Sequence, residues 1–187
     1  NQPLLNAAYT FNGEFGVHMH HKYYPQDQSK LGGRRSRGLM TLALIATNQG
    51  STPITLNFDR GSVKNSFEAP YHPNRLMGVK PLGKRPWNTG PGDATAVQLL
   101  RGELDRKLHE RVVIPPGGRS VVVRTVLPAG GIANGLLRGR SDGLFTMAVV
   151  AAEQSAQDSD LFAVLQSGQL APGRIYLNRI REIQMGR

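Results

Sequence analysis

The sequence predicts a mainly β protein, an antiparallel β-sandwich with two short accessory helices. Three observations carry that expectation. Apolar and polar residues alternate with period two in several runs of strand length. Of the 187 residues 22 are glycine and 12 proline, about 18% together against roughly 12% in average usage, which suits a chain rich in turns. The strand patterns do not alternate regularly with helical ones, which argues against a doubly wound sheet.

The first strand pattern starts at Phe11 and sets Phe15, Val17 and Met19 on one face, with Glu14, His18 and His20 on the other. Leu39 to Thr47 reads as a central strand, apolar on both faces. The turn residues Asn48-Gln49-Gly50-Ser51 follow, and Pro53 to Phe58 returns as a partner strand, so 39–58 is expected to be a hairpin. Residues 65–92 form a long irregular loop within the domain. Val112 to Ile114 and Ser120 to Leu127 are strands either side of Pro115-Pro116-Gly117-Gly118. Leu136 to Arg140 and Leu144 to Ala152 flank Ser141-Asp142-Gly143 as a second hairpin, and Ile175 to Ile183 supplies a last strand.

Two helices are expected between the strands. Asp93, after Gly90-Pro91-Gly92, can cap one whose apolar face carries Ala96, Val97, Leu99, Leu100 and Leu104, with Gln98, Arg101 and Asp105 outside. Asp158 or Ser159 can cap a shorter one through Leu161, Phe162, Val164 and Leu165, stopped by Gly168. The length suits a single domain over 1–187, or two small ones sharing an interface. The chain opens at Asn1 without methionine, as a processed protein does, and no signal peptide is visible.

Composition excludes several classes. With no cysteine there is no disulfide, thiolate metal site or cysteine nucleophile. No apolar run reaches the roughly 18 residues of a membrane span. Lysine and arginine number 23 against 13 acids, a net charge of +10. The excess concentrates in two clusters, Lys30, Arg34, Arg35 and Arg37, then Arg75, Lys80, Lys84 and Arg85, and no acid lies between Ala69 and Gly92. Both sit in Gly/Pro-rich sequence and suggest an anion- or partner-binding surface. Sequence-specific nucleic-acid binding is not expected, since the few aromatics are not interleaved with these cations.

The densest chemical signal is His18-Met19-His20-His21. On a strand His18 and His20 share a face, and two imidazoles so placed can hold copper or zinc. A fuller site needs a further ligand, for which His72, His109, Glu14 and Asp27 are the candidates. Gly139-Arg140-Ser141-Asp142-Gly143 matches the nucleophile-elbow pattern, but its flanks read strand-turn-strand rather than strand-turn-helix. Gly78 to Lys84 spells a phosphate-loop pattern, yet Arg85 stands where magnesium needs Ser or Thr. No catalytic residues are assigned, because the 13 acids are scattered and no nucleophile–base set stands out.

Several short motifs in order resemble a known family. They are Asn12-Gly13-Glu14-Phe15 leading to His20-His21, Asn48 before Ser51-Thr52-Pro53-Ile54-Thr55, and Gly90-Pro91-Gly92-Asp93 with Leu99-Leu100-Arg101-Gly102. Ile114-Pro115-Pro116-Gly117 and the pair Leu137-Arg138 to Met147-Ala148 follow. Together they resemble the cyanobacterial exported proteins of domain-of-unknown-function family 3370, from about Leu4 to Arg187. The resemblance implies a β-rich, secreted protein of the periplasm or cell envelope and brings no catalytic residues with it. Members usually continue past the matched segment, which implies that Ile183 to Arg187 is an internal strand cut short. The expected function is a non-enzymatic envelope domain that meets an envelope protein or an anionic polysaccharide, without spanning the membrane. The alternatives are a metal-binding protein using His18, His20 and His21, and an enzyme acting on envelope glycans.

Overall fold

The computed structural model describes residues 10–25, 27, 29, 38–69, 90–154 and 156–168. Six strands and two helices follow in chain order: β1 (Thr10–Lys22), β2 (Leu39–Thr47), β3 (Ile54–Asn65), α1 (Pro91–Leu100), β4 (Arg111–Ile114), β5 (Arg119–Pro128), β6 (Ile132–Glu153) and α2 (Asp158–Ser167). The protein is mainly β, as expected, and its strands form one antiparallel sheet curled into a half-barrel.

β6 is the spine of that sheet. Along one edge runs β1, with Phe15 opposite Gly139 and Lys22 opposite Ile132. Along the other edge lie β3, beside residues 133–141, and then β2, beside residues 146–152. Outside this row β4 pairs with β3 and β5 with β2. Thus β2 and β3 are collinear pieces of one row, and β4 and β5 of the next. Two expected hairpins are therefore corrected. β2 and β3 do not pair with each other, and Ser141-Asp142-Gly143 lies inside a single 22-residue strand. Turn chemistry marks where the chain bends, not which strand it then meets.

The bends fall along one line across the sheet. Residues 48–53 and 115–118 interrupt the two outer rows, and the Thr55 backbone N–H donates to Asp142 Oδ1 at 2.7 Å, fastening the spine beside them. Asn48, fully buried, holds this corner. Its Nδ2 donates to the carbonyls of Thr52, Ile114 and Pro115 at 2.8, 3.1 and 3.2 Å. Its Oδ1 accepts from Gly50 N–H at 2.9 Å, and its own N–H donates to Gly118 O. A corner inside a sheet strands backbone groups that strand pairing would otherwise satisfy, and one amide side chain takes up several of them.

Curling closes a core on the concave face. Phe15, Phe58 and Phe145 meet there, with Phe15 edge-on to both others at centroid distances of 5.8 and 5.2 Å. Leu42, Leu44, Leu56, Ile114, Leu127 and Leu137 surround them. Each such side chain, taken out of water, contributes roughly 1.5–3 kcal/mol. Asn65 Nδ2 donates to Thr125 Oγ1 at 2.9 Å, linking β3 to β5. On the convex face Ala43, Ile45 and Val150 pack under Leu161 of α2 as a second core. β2 is therefore covered on both sides, which its unbroken apolar run anticipated.

The helices depart from expectation in detail. α1 starts at Pro91 after Gly90, with no side-chain cap, so Asp93 only faces the first turn as an exposed acid. It docks on the convex face of β3 and β6 through Pro91 and Thr95, while Leu100 is 83% exposed. The anticipated apolar face is thus out of phase, because the sheet beneath offers the polar Ser62 and Asn134. Asp105, expected outside, is buried against Lys64 Nζ at 2.7 Å. α2 is capped by Gln157 in a reciprocal box with Asp160, one residue before the anticipated position, and ends at Gly168 in the left-handed conformation (φ 62°), as expected.

One glycine is demanded by close approach. β3 carries a bulge between Phe58 and Arg60, after which Gly61 sits at φ 129°. A Cβ there would lie 2.1 Å from the carbonyl oxygen of Leu136. No other residue fits where β3 presses on the spine. The strand expected at Ile175 to Ile183 and nearly all of the 65–92 loop beyond Ala69 lie outside the described residues.

Candidate functional site

The eight cations expected to form an anion-binding surface, Lys30, Arg34, Arg35, Arg37, Arg75, Lys80, Lys84 and Arg85, lie outside the described residues. The residues that anchor their two segments are described, and they converge. The first segment leaves β1 at Tyr23, whose N–H donates to Gly131 O at 2.9 Å and whose carbonyl accepts from Gly130 N–H at 2.7 Å. It returns at Gly38, whose carbonyl accepts from Ala129 N–H at 2.8 Å. The second leaves β3 beside Ser66, whose Oγ accepts from Ile132 N–H at 2.7 Å. It returns at Gly90 to α1, which Asn134 holds through Thr95. All four anchors fall on residues 129–134, the β5–β6 turn and the start of the spine. The segments carry eight cations and two acids, Asp27 and Glu68, and so +6 of the chain's +10.

Two of the described lysines near these anchors are paired with acids, while Lys22, opposite Ile132, lies over the Tyr24 ring. Lys64 meets Asp105, and Lys107 donates to Glu68 and, at 3.0 Å, to the Val63 carbonyl. Burial on its own would raise the Asp105 carboxyl. The Lys64 hydrogen bond, the Lys107 backbone N–H and the charge of both lysines outweigh it and hold the group below its ordinary range.

β1 divides the three histidines by parity. His18 and His20 are exposed on the outer face, in line with Glu14 and Lys22. His21 turns inward, half-buried on the face of Met19 and Tyr23. Burial first, and the neighbouring His20 second, lower its pKa from 6.5. His20 Nδ1 lies 3.1 Å from Asn134 Oδ1 on the adjacent strand. Of the further ligands considered, His72 is outside the described residues. Among the described residues no three His, Asp or Glu side chains converge, so Glu14, Asp27 and His109 complete no cluster.

Sequence reasoning missed a groove of about 490 Å³ beside the β3 bulge, lined by Asn57, Phe58, Asp59, Leu104, Glu110 and Arg140. Asp59 and Arg140 approach to 4.0 Å as an exposed pair, an interaction worth at most about 1 kcal/mol. Asp59, at the bulge, and Glu110 give the groove two carboxylates. The short run Asp59-Arg60-Gly61 was the signal for that bulge. Ser141 is no elbow nucleophile, since its Oγ bonds the backbone of Gly143 within β6. The phosphate-loop pattern at 78–84 lies outside the described residues.

A family model described as a protein of unknown function, DUF3370, matches residues 1–187. The chain belongs to that family. The family description names no activity. No curated protein and no solved structure matches the chain. Among the described residues of this DUF3370 protein no helix is long and apolar enough to cross a membrane.

Proposed function

We propose that this DUF3370 protein is a non-enzymatic interaction domain of the cell envelope that binds an anionic polysaccharide at one end of its curled sheet. The observation that carries the reading is the attachment of both basic segments to residues 129–134. A net +6 tethered to six consecutive residues makes one field rather than two separate ones. Flexible polyanions are held by such fields through many weak contacts, with counterions released on binding. Charge, not a shaped cavity, does the selecting, so an acidic envelope protein is the competing partner.

The test is binding of polygalacturonate, a uronic-acid polymer, followed by titration calorimetry across a salt series. Affinity falls steeply with added salt, and Arg34→Glu with Arg35→Glu weakens it at every salt concentration. A salt-independent affinity, or no binding at low salt, overturns the reading.

A further inference from the structure

We propose that His18 and His20 form a two-imidazole site for a divalent late transition-metal ion, Cu(II) foremost, in which Asn134 fixes His20 with its Nε2 outward. The inference is independent of polysaccharide binding and starts from a hydrogen-bond chain beneath α1. Thr95 Oγ1 donates its single proton to the carbonyl of Gly92 at 2.8 Å. It must then accept from Asn134 Nδ2, which stands 2.5 Å away. That settles which end of the Asn134 amide is which, so Oδ1 is the atom facing His20 Nδ1 at 3.1 Å. An oxygen acceptor there requires the proton on Nδ1. The Nε2 lone pair is left on the exposed side of the ring.

This is the arrangement that metal-bound histidines use, in which the ring nitrogen not bound to the metal donates to a carbonyl that sets tautomer and orientation. The orienting group is firmly built here, with Asn134 only 3% exposed and Thr95 fully buried. Pinning an exposed histidine to a buried amide does little for stability, as a neutral hydrogen bond is worth about 1 kcal/mol. It does pre-orient a ligand. His18 stands two residues along the same face, about 6.8 Å away along the strand, close enough for both rings to reach one ion. Imidazole pairs favour copper over the other divalent first-row ions. With no third side chain converging among the described residues, the remaining positions stay open to water or an external donor.

The experiment is a Cu(II) titration of the 1–187 chain, read by electron paramagnetic resonance and calorimetry, with nitrogen-15 histidine spectra of the metal-free protein. One Cu(II) binds per chain with two nitrogen couplings, and metal-free His20 carries its proton on Nδ1. His18→Ala and His20→Ala each remove the two-nitrogen signal, whereas His21→Leu keeps it. Asn134→Leu weakens binding about tenfold and Asn134→Asp, which keeps the acceptor, restores it. His18 is exposed and makes no described side-chain hydrogen bond, so His18→Ala tests the site without threatening the fold. Absence of saturable one-to-one binding, or a His18→Ala protein that binds as the parent does, overturns the proposal. So does metal-free His20 protonated on Nε2.

Discussion

The Asn48 side-chain amide donates to the Ile114 carbonyl at 3.1 Å, joining the corner of one bent row to the corner of the next. Asn48 belongs to the β2–β3 row and Ile114 ends β4. Without the amide, the carbonyls of Thr52, Ile114 and Pro115 lose a shared buried donor.

Asn48→Ala therefore destabilises the fold by on the order of 3 kcal/mol, since stranded buried polar groups cost more than one hydrogen bond gains. Urea titration measures it directly. An unchanged midpoint would show that the corner is held by packing alone.

Lys64→Met removes the partner of Asp105, whose side chain is only 6% exposed. Left with only the backbone N–H and the charge of Lys107, the buried carboxylate costs on the order of 2 kcal/mol at pH 7. The pH dependence has a fixed sign. The folded pKa of Asp105 lies below its ordinary value of 3.8, so its stabilising contribution is complete above about pH 4 and is lost as pH falls through the folded value. The gap between parent and variant narrows once both proteins carry a protonated Asp105. Urea midpoints at pH 7 and in strong acid check this, and a gap of equal size at both would contradict it.

His21 acts with the opposite charge and the same direction in pH. Its folded pKa is held below 6.5, first by burial and then by His20. As pH drops below 6.5 the unfolded chain takes up a proton that the folded chain resists, and stability falls. His21→Leu flattens that part of the stability profile between pH 7 and 5. Thermal midpoints across that window test it, and parallel profiles for parent and variant would rule it out.

Where one face of a strand is buried, the sequence was legible. The alternation through Phe15, Val17 and Met19 against His18 and His20 names both faces of β1 correctly, because parity survives any choice of partner strand. Leu39 to Thr47 was legible for the same reason, both of its faces being covered. Partner choice was not. Asn48-Gln49-Gly50-Ser51 and Ser141-Asp142-Gly143 have the composition of hairpin turns, yet one turns a corner and the other lies within a continuous strand. Nor could α1 be phased from its leucines, since the buried Asn134 amide bonds Thr95 and leaves Leu100 exposed. The bond from His20 to Asn134 spans 114 positions and leaves no local trace.

The central claim is that the two basic segments work as one surface. A short sulfated oligosaccharide, labelled and followed by fluorescence anisotropy, tests it most directly through stoichiometry and salt slope. The account predicts one oligosaccharide per chain. It also predicts a salt slope that shrinks when Arg34 and Arg35 become Glu, and shrinks again when Lys84 and Arg85 do too. Two oligosaccharides per chain, each sensitive to only one pair of substitutions, would contradict it.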